Sequence, residues 1–216
     1  MLRGEKKIII IIRLGDEAIR VAVGHRRGST TCQPHICICG VAVEAKGLFC
    51  RKSSPRQIRH AQLNDIVWRA VKKAQYPAVK EPIGLSRSDG KRPDGATLIP
   101  CTRGKPVAWD VTVPDTYANS YIADTATTTS AAENRAADNK TAKYQELAKT
   151  HQLAPIAIET GGAWNEKAVE FIFEVERRIT DVTNEQQETM FLFQRISVAL
   201  QRGNAIAFRN IFSSEH

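Results

Sequence analysis

The chain has 216 residues, long enough for one substantial core, and its 42% hydrophobic and 6% aromatic content is that of a soluble globular protein rather than a disordered or fibrous one. Lysine and arginine number 31 against 23 acidic residues, a net charge of +8 with a pI near 9.4, which favours a polyanionic partner or an acidic surface. The apolar run Ile8 to Ile12 is five residues long, too short to span a bilayer, and no signal-peptide cleavage pattern follows it. With five cysteines, an odd number, the expectation is an intracellular protein with reduced thiols and no membrane partner.

In chain order, residues 14 to 24 form a short predicted helix, with Leu14, Ala18, Ile19 and Val23 near helical spacing and Asp16 and Glu17 in the first turn. A Cys/His-rich loop follows. Residues 57 to 75 are the clearest early helix, with Ile58, Ala61, Ile66, Ala70 and Ala74 on or near one face and Pro77 at its end. Strands are expected near 79 to 86, 95 to 100 and 107 to 113. A helix over 130 to 150 carries Ala136, Ala142 and Leu147, a strand over 155 to 159 stops at Gly161-Gly162, and helices cover 164 to 180 and 185 to 202. Thr125 to Ala132 is the only stretch near low complexity and reads as a surface loop. The glycines at 161 and 162 make no phosphate-binding loop, because no Lys-Ser/Thr follows them.

The strands over 95 to 100 and 107 to 113 are joined by Thr102-Arg103-Gly104-Lys105-Pro106, which has the residues of a turn, so they form a hairpin. Two acids ride on it. Asp94 follows Pro93 at the strand entrance, and Asp110 interrupts the apolar run Val107 to Val113. A carboxylate in such a strand must be hydrogen-bonded, paired or metal-bound, since an uncompensated buried charge costs several kcal/mol. Two readings are open. Asp94 and Asp110 on adjacent strands repel one another unless a cation lies between them, and Mg²⁺ or Mn²⁺ held there would be suited to phosphodiester cleavage. In the other reading Asp94 caps a turn and Asp110 makes an internal hydrogen bond or ion pair with Lys or Arg.

Basic residues cluster on both sides of this region: Arg51, Lys52, Arg56, Arg59 and His60, then Lys72, Lys73, Lys80, Arg87, Lys91 and Arg92. They read as a band that neutralises phosphates or as a solvated basic face. Arg195 and Arg202 on the last helix are further candidates to face DNA, and Cys101 and His151 read as structural.

The predicted order of helix, three strands, helix and strand is that of the PD-(D/E)XK nuclease core, an α/β fold with a mixed sheet flanked by helices. The strings Arg59-His60-Ala61-Gln62-Leu63-Asn64-Asp65, Glu81-Pro82-Ile83-Gly84-Leu85, Asp89-Gly90-Lys91-Arg92-Pro93-Asp94-Gly95, Trp109-Asp110-Val111-Thr112-Val113, Lys140 through Lys143-Tyr144, and Phe191-Leu192-Phe193-Gln194-Arg195 resemble something narrower. They resemble the restriction-like endonuclease region downstream of the reverse transcriptase in non-LTR retrotransposon polyproteins, over roughly residues 15 to 212. That resemblance implies a metal-dependent DNA endonuclease that nicks target DNA for insertion, acting in the nucleus, with RNA a further partner. It implies a catalytic set of Asp94, Asp110, Lys143 and Tyr144, with Glu81 a further Mg²⁺ ligand or a group orienting a metal-bound water. It puts Arg59, His60, Lys91, Arg92 and Lys140 against nucleic acid. Thr112 stands where many such nucleases carry the motif lysine, so Lys143 on the helix would replace it.

The resemblance also implies a zinc-knuckle-like segment over 31 to 52, between an N-terminal extension and a nuclease domain over 55 to 212. Cys32, His35, Cys37, Cys39 and Cys50 offer thiolate and imidazole ligands, with His35, Cys37, Cys39 and Cys50 the tetrahedral Zn²⁺ set. The chain departs from the pattern by lacking a His between Cys39 and Cys50, so unliganded thiols are the alternative. The competing functional reading is a catalytically idle remnant that binds nucleic acid through its basic face.

Overall fold

The computed structural model describes residues 14–30, 33–37, 39–40, 42–43, 55–85, 90–101, 104–116, 131–184 and 188–212. The apolar run Ile8 to Ile12, the expected loop over Thr125 to Ala132 up to residue 130, and the expected ligands Cys32 and Cys50 lie outside these residues. The elements are α1 (Asp16–Arg26), β1 (His35–Ile36), β2 (Ala42–Val43), α2 (Pro55–Lys73), β3 (Ala78–Lys80), β4 (Gly95–Thr97), β5 (Val107–Thr112), α3 (Ala131–Lys143), β6 (Gln152–Ala157), α4 (Glu166–Thr183) and α5 (Glu188–Arg209). From α2 to β6 the chain is thus helix, three strands, helix, strand.

The main sheet has the order β3-β4-β5-β6. β3, β4 and β5 run antiparallel in succession, as hairpin-type connections allow, and β6 joins β5 in parallel after the crossover that contains α3. β5 is buried along nearly its whole length, which is why it reads as a continuous apolar run broken only by Asp110. Its side chains alternate. Val107, Trp109 and Val111 enter the principal core with Leu63 and Val67 of α2, Ile172 and Val175 of α4, and Ile196 and Leu200 of α5. Ala108 and Asp110 turn to the other face, where they line a small cavity with Lys140 and Thr141 of α3 and Tyr144 just past its end. The fold is therefore a mixed α/β layer structure with α2, α4 and α5 on one face of the sheet and α3 on the other.

Local chemistry fixes the ends. α1 opens on Asp16 and Glu17 and closes on Arg26, each sign opposite to the pole of the helix dipole it meets. The Asn165 side chain accepts from the Lys167 amide to start α4, and Asn184, in the left-handed region at φ 57°, ends it. The last helix runs seven residues past the expected end at 202. Gly203 lies within it where the Arg59 stem from α2 crosses, so close that a Cβ would lie 2.6 Å from Arg59 Cγ, which accounts for the glycine there. The Cys/His segment, expected as a loop, forms the short antiparallel pair β1–β2. Val21, Cys37, Val43, Phe208 and Ile211 make a second small core, so α1 and this pair close on the end of α5. The helix expected over 130 to 150 ends at Lys143, followed by a 3-10 turn at Leu147–Lys149, and β6 begins three residues earlier than expected. Pro155 fits in β6 because β6 is an edge strand.

Candidate functional site at the acid pair

Asp110 sits in the middle of β5 with only 6% of its surface exposed, opposite Pro155 of β6. It faces α3, and the Lys140 ammonium reaches it from that helix to bond Oδ1. Geometry explains why this lysine arrives. Ala136, Ala137, Lys140 and Tyr144 recur at intervals of three and four, so they share the side of α3 that lies on the sheet. Ala136 and Ala137 close against Ala157, and their small side chains let the helix approach near enough for Lys140 to extend to Asp110.

Asp94 occupies the end of β4, one residue beyond the last registered pair, Gly95 with Trp109. Its Oδ2 accepts from the Val111 amide at 2.6 Å and from His60 Nε2 at 3.0 Å. Its main-chain carbonyl accepts from Asn64 Nδ2 at 3.1 Å and from the Glu81 amide at 3.0 Å. The His60 ring nitrogen is also 3.1 Å from the Val111 carbonyl, so one N–H is shared between a carboxylate and a carbonyl. The hydrogen bond to Asp94 holds the His60 pKa above its ordinary value, against the desolvation that lowers it, and the charges of Asp94 and Asp110 add to the rise. Both acids therefore act on one imidazole.

The two strands are clamped by Trp109, which is fully buried. Its ring lies over Gly95, where a Cβ would come within 2.1 Å of the indole, and its Nε1 donates to Asn64 Oδ1 at 2.9 Å. Asn64 thus ties the tryptophan to the backbone of Asp94. It stands four residues after His60, one turn along α2, and the two together grip the acid from the helix.

The remaining expected residues distribute differently. Lys143 donates to the Tyr144 hydroxyl at 3.0 Å and lies over its ring, and that hydroxyl donates to the Arg92 carbonyl at 2.9 Å. Tyr144 is only 3% exposed and links α3 to the segment ahead of Asp94. Glu81, just beyond β3, adopts a left-handed φ of 45° and takes an ion pair from Arg92 at 2.7 Å, on the surface. Lys91 is exposed. Arg59 is buried, and its Nη1 donates to Asn204 of α5 at 2.6 Å, so it binds helix to helix instead of lining a nucleic-acid surface.

No protein-family model and no curated protein matches the chain.

Asp94 and Asp110 each have one carboxylate oxygen that takes no hydrogen bond among the described residues, a donor set that suits a hard divalent cation completed by water and phosphate oxygens. No cluster of three or more His, Cys, Asp and Glu side chains placed to hold a metal occurs among the described residues. Of the expected Zn²⁺ ligands, His35 lies with Nδ1 2.9 Å from the Gln33 carbonyl and Nε2 3.2 Å from the Ile211 carbonyl, stacked on Phe212. Cys37 is buried in the small core, and Cys39 is exposed. No helix among the described residues is long and apolar enough to cross a membrane.

Sequence reasoning missed Asn64 and did not foresee that His60 bonds Asp94 or that Lys140 bonds Asp110. An asparagine on the core-facing side of a helix was the available signal, since a buried amide must have partners.

Proposed function

We propose that this chain is a restriction-endonuclease-like domain of non-LTR retrotransposon origin that hydrolyses DNA phosphodiesters with a divalent metal held by Asp94 and Asp110. The observation that carries the reading is a mixed sheet of the expected strand order in which Asp94, at the entrance to β4, and Asp110, in the adjacent β5, both act on His60 while Lys140 of the crossover helix reaches Asp110. Mg²⁺ or Mn²⁺, when bound there, supplies an activated water and neutralises charge on the phosphate. Lys140 takes the part that the resemblance gave to Lys143: its ammonium, already against Asp110, is positioned to stabilise charge developing on a phosphate oxygen. Lys143 and Tyr144 hold α3 to the Arg92 carbonyl and so set the height of Lys140 over the sheet. His60 fixes Asp94 and leaves its second oxygen for the metal. The net charge of +8 draws the chain to DNA, with Lys91 and Arg92 beside the acid pair as phosphate contacts and the nucleus as the compartment of such a substrate.

One observation favours a second reading, a remnant that binds nucleic acid without cutting it. Asp110 is already neutralised by Lys140 and Asp94 by His60 and an amide, so both acids persist in the fold without a metal. Supercoiled plasmid incubated with Mg²⁺ or Mn²⁺ separates the two, using the isosteric variants Asp94→Asn and Asp110→Asn. Nicking by wild type that both variants lose supports the nuclease. Salt-sensitive binding by a folded wild type that never nicks sinks it in favour of the remnant.

A further inference from the structure

A second pair of carboxylates lies away from the acid pair, at the far end of the β5–β6 strands. Glu133, in the first turn of α3, is 0% exposed, and Glu159, two residues past β6, is 5% exposed. Among the described residues, both oxygens of Glu133 and Oε1 of Glu159 are buried with no conventional hydrogen-bond partner, while Glu159 Oε2 accepts from Thr116 Oγ1 at 3.0 Å. As carboxylates the two groups offer each other only acceptors. Neither can retreat: Glu133 is part of a helix, and the Glu159 backbone is pinned by its amide to Ala163 O and its carbonyl to the Gly162 amide, both at 2.8 Å. Two adjacent buried charges of one sign without a cation are untenable, and a single proton between them converts two orphaned acceptors into one hydrogen bond.

We propose that Glu133 and Glu159 share one proton, that this proton seats the N-terminal part of α3 on the sheet, and that its loss loosens α3. The inference stands apart from the nuclease reading, because it concerns how a helix is docked. Burial, reinforced by the neighbouring Glu133, pushes Glu159 up to about 7.

Among the described residues, the charged and titratable groups around the pair do not supply a substitute cation. From α1, His25 bonds the Thr160 hydroxyl at 3.2 Å and is kept neutral by burial, while Arg26 is directed to the Gly161 carbonyl at 3.0 Å. Arg59 of α2 binds Asn204, and α5 presents the neutral Asn204 and Gln201. Asp115 adds a further acid beside Thr160. On α3 itself the nearest inward-facing cation, Lys140, is two turns away on Asp110. Ionising the pair therefore strains the same helix face that delivers Lys140.

Hydrogen exchange of the full chain, corrected for intrinsic rates, tests this on the 131–143 peptide. Between pH 5 and 8 the wild type is expected to lose protection there on the order of a hundredfold, the factor that a displacement from 4.5 to about 7 implies. Glu159→Gln, whose amide donates permanently to Glu133, keeps that protection across the range. Wild-type protection that stays flat, a Glu159→Gln protein that reproduces the wild-type fall, or restoration of protection at pH 8 by Mg²⁺ alone, which would make the pair a metal site, each overturns the proposal. Should Glu159→Gln fail to fold, carboxyl NMR of the wild type decides. A pair of glutamates with a midpoint near neutrality upholds the shared proton, and midpoints in the ordinary glutamate range refute it.

Discussion

Gly95→Ala tests the clamp between the acid-bearing strands. The backbone of Gly95 is not in the left-handed region, so the substitution carries no conformational penalty and its cost is steric alone. A methyl group built there meets Trp109 at 2.1, 2.4 and 2.7 Å, well inside contact distance. The indole cannot step aside, being fully buried and tied through Nε1 to Asn64. Overpacking of this kind costs about 1–3 kcal/mol, and three simultaneous overlaps on a locked ring put the expected loss at the upper end, about 3 kcal/mol. For a chain of this size that lowers Tm by roughly 6–12 °C. The decisive assay is a double-mutant cycle by urea denaturation. In a Trp109→Leu background the clash is gone, so the alanine becomes neutral or stabilises by about 0.5 kcal/mol through the unfolded state. Equal costs of Gly95→Ala in both backgrounds would refute the clamp.

Lys140→Met leaves Asp110 without its ammonium and is expected to cost about 2 kcal/mol, between the values for exposed and buried pairs, with Asp110→Asn/Lys140→Met recovering most of it in urea titrations. His60 has a raised pKa, so its contribution is complete below the unfolded value of 6.5 and disappears as pH rises through the higher folded value. His60→Gln should remove this loss above pH 6.5 in thermal denaturation, and a variant as pH-dependent as wild type would contradict the bond to Asp94. His25 runs the other way: burial lowers it to about 4, so its stabilisation is full above 6.5 and about 3 kcal/mol is lost as pH falls towards 4, a slope that His25→Gln should abolish in the same scans. Gly203→Ala, which drives a methyl into the Arg59 stem, should cost about 1–2 kcal/mol and leave Asp94 and Asp110 unmoved by NMR shift.

Much of the element order was legible from local signals: the extent of α2, the continuous apolar run of β5 and the turn residues Thr102 to Pro106. The face of α2 was not, since Ile58 and Ala61 are exposed while Leu63, Val67 and Val71 join Ala70 and Ala74 in the core. Boundaries were less legible. Gly203 looks like a helix stop until Arg59 is seen lying across it, and nothing local announces that crossing. The choice between Lys140 and Lys143 turned on helix phase: seven residues separate Glu133 from Lys140, placing both on the sheet side, whereas Lys143 falls one position short of Tyr144 and swings to its hydroxyl. The Glu133–Glu159 pair was invisible for a related reason, since 26 residues of sequence and a crossover separate its members.

The parallel pairing of β5 with β6 has a kinetic meaning. The hairpin that carries Asp94 and Asp110 closes a loop of about a dozen residues, whereas β6 pairs with β5 only across a connection of about forty that contains the Lys140-bearing helix. Loop-closure entropy therefore favours assembling the acids before their lysine, and a β5 strand formed ahead of α3 docking would hold Asp110 without its counterion.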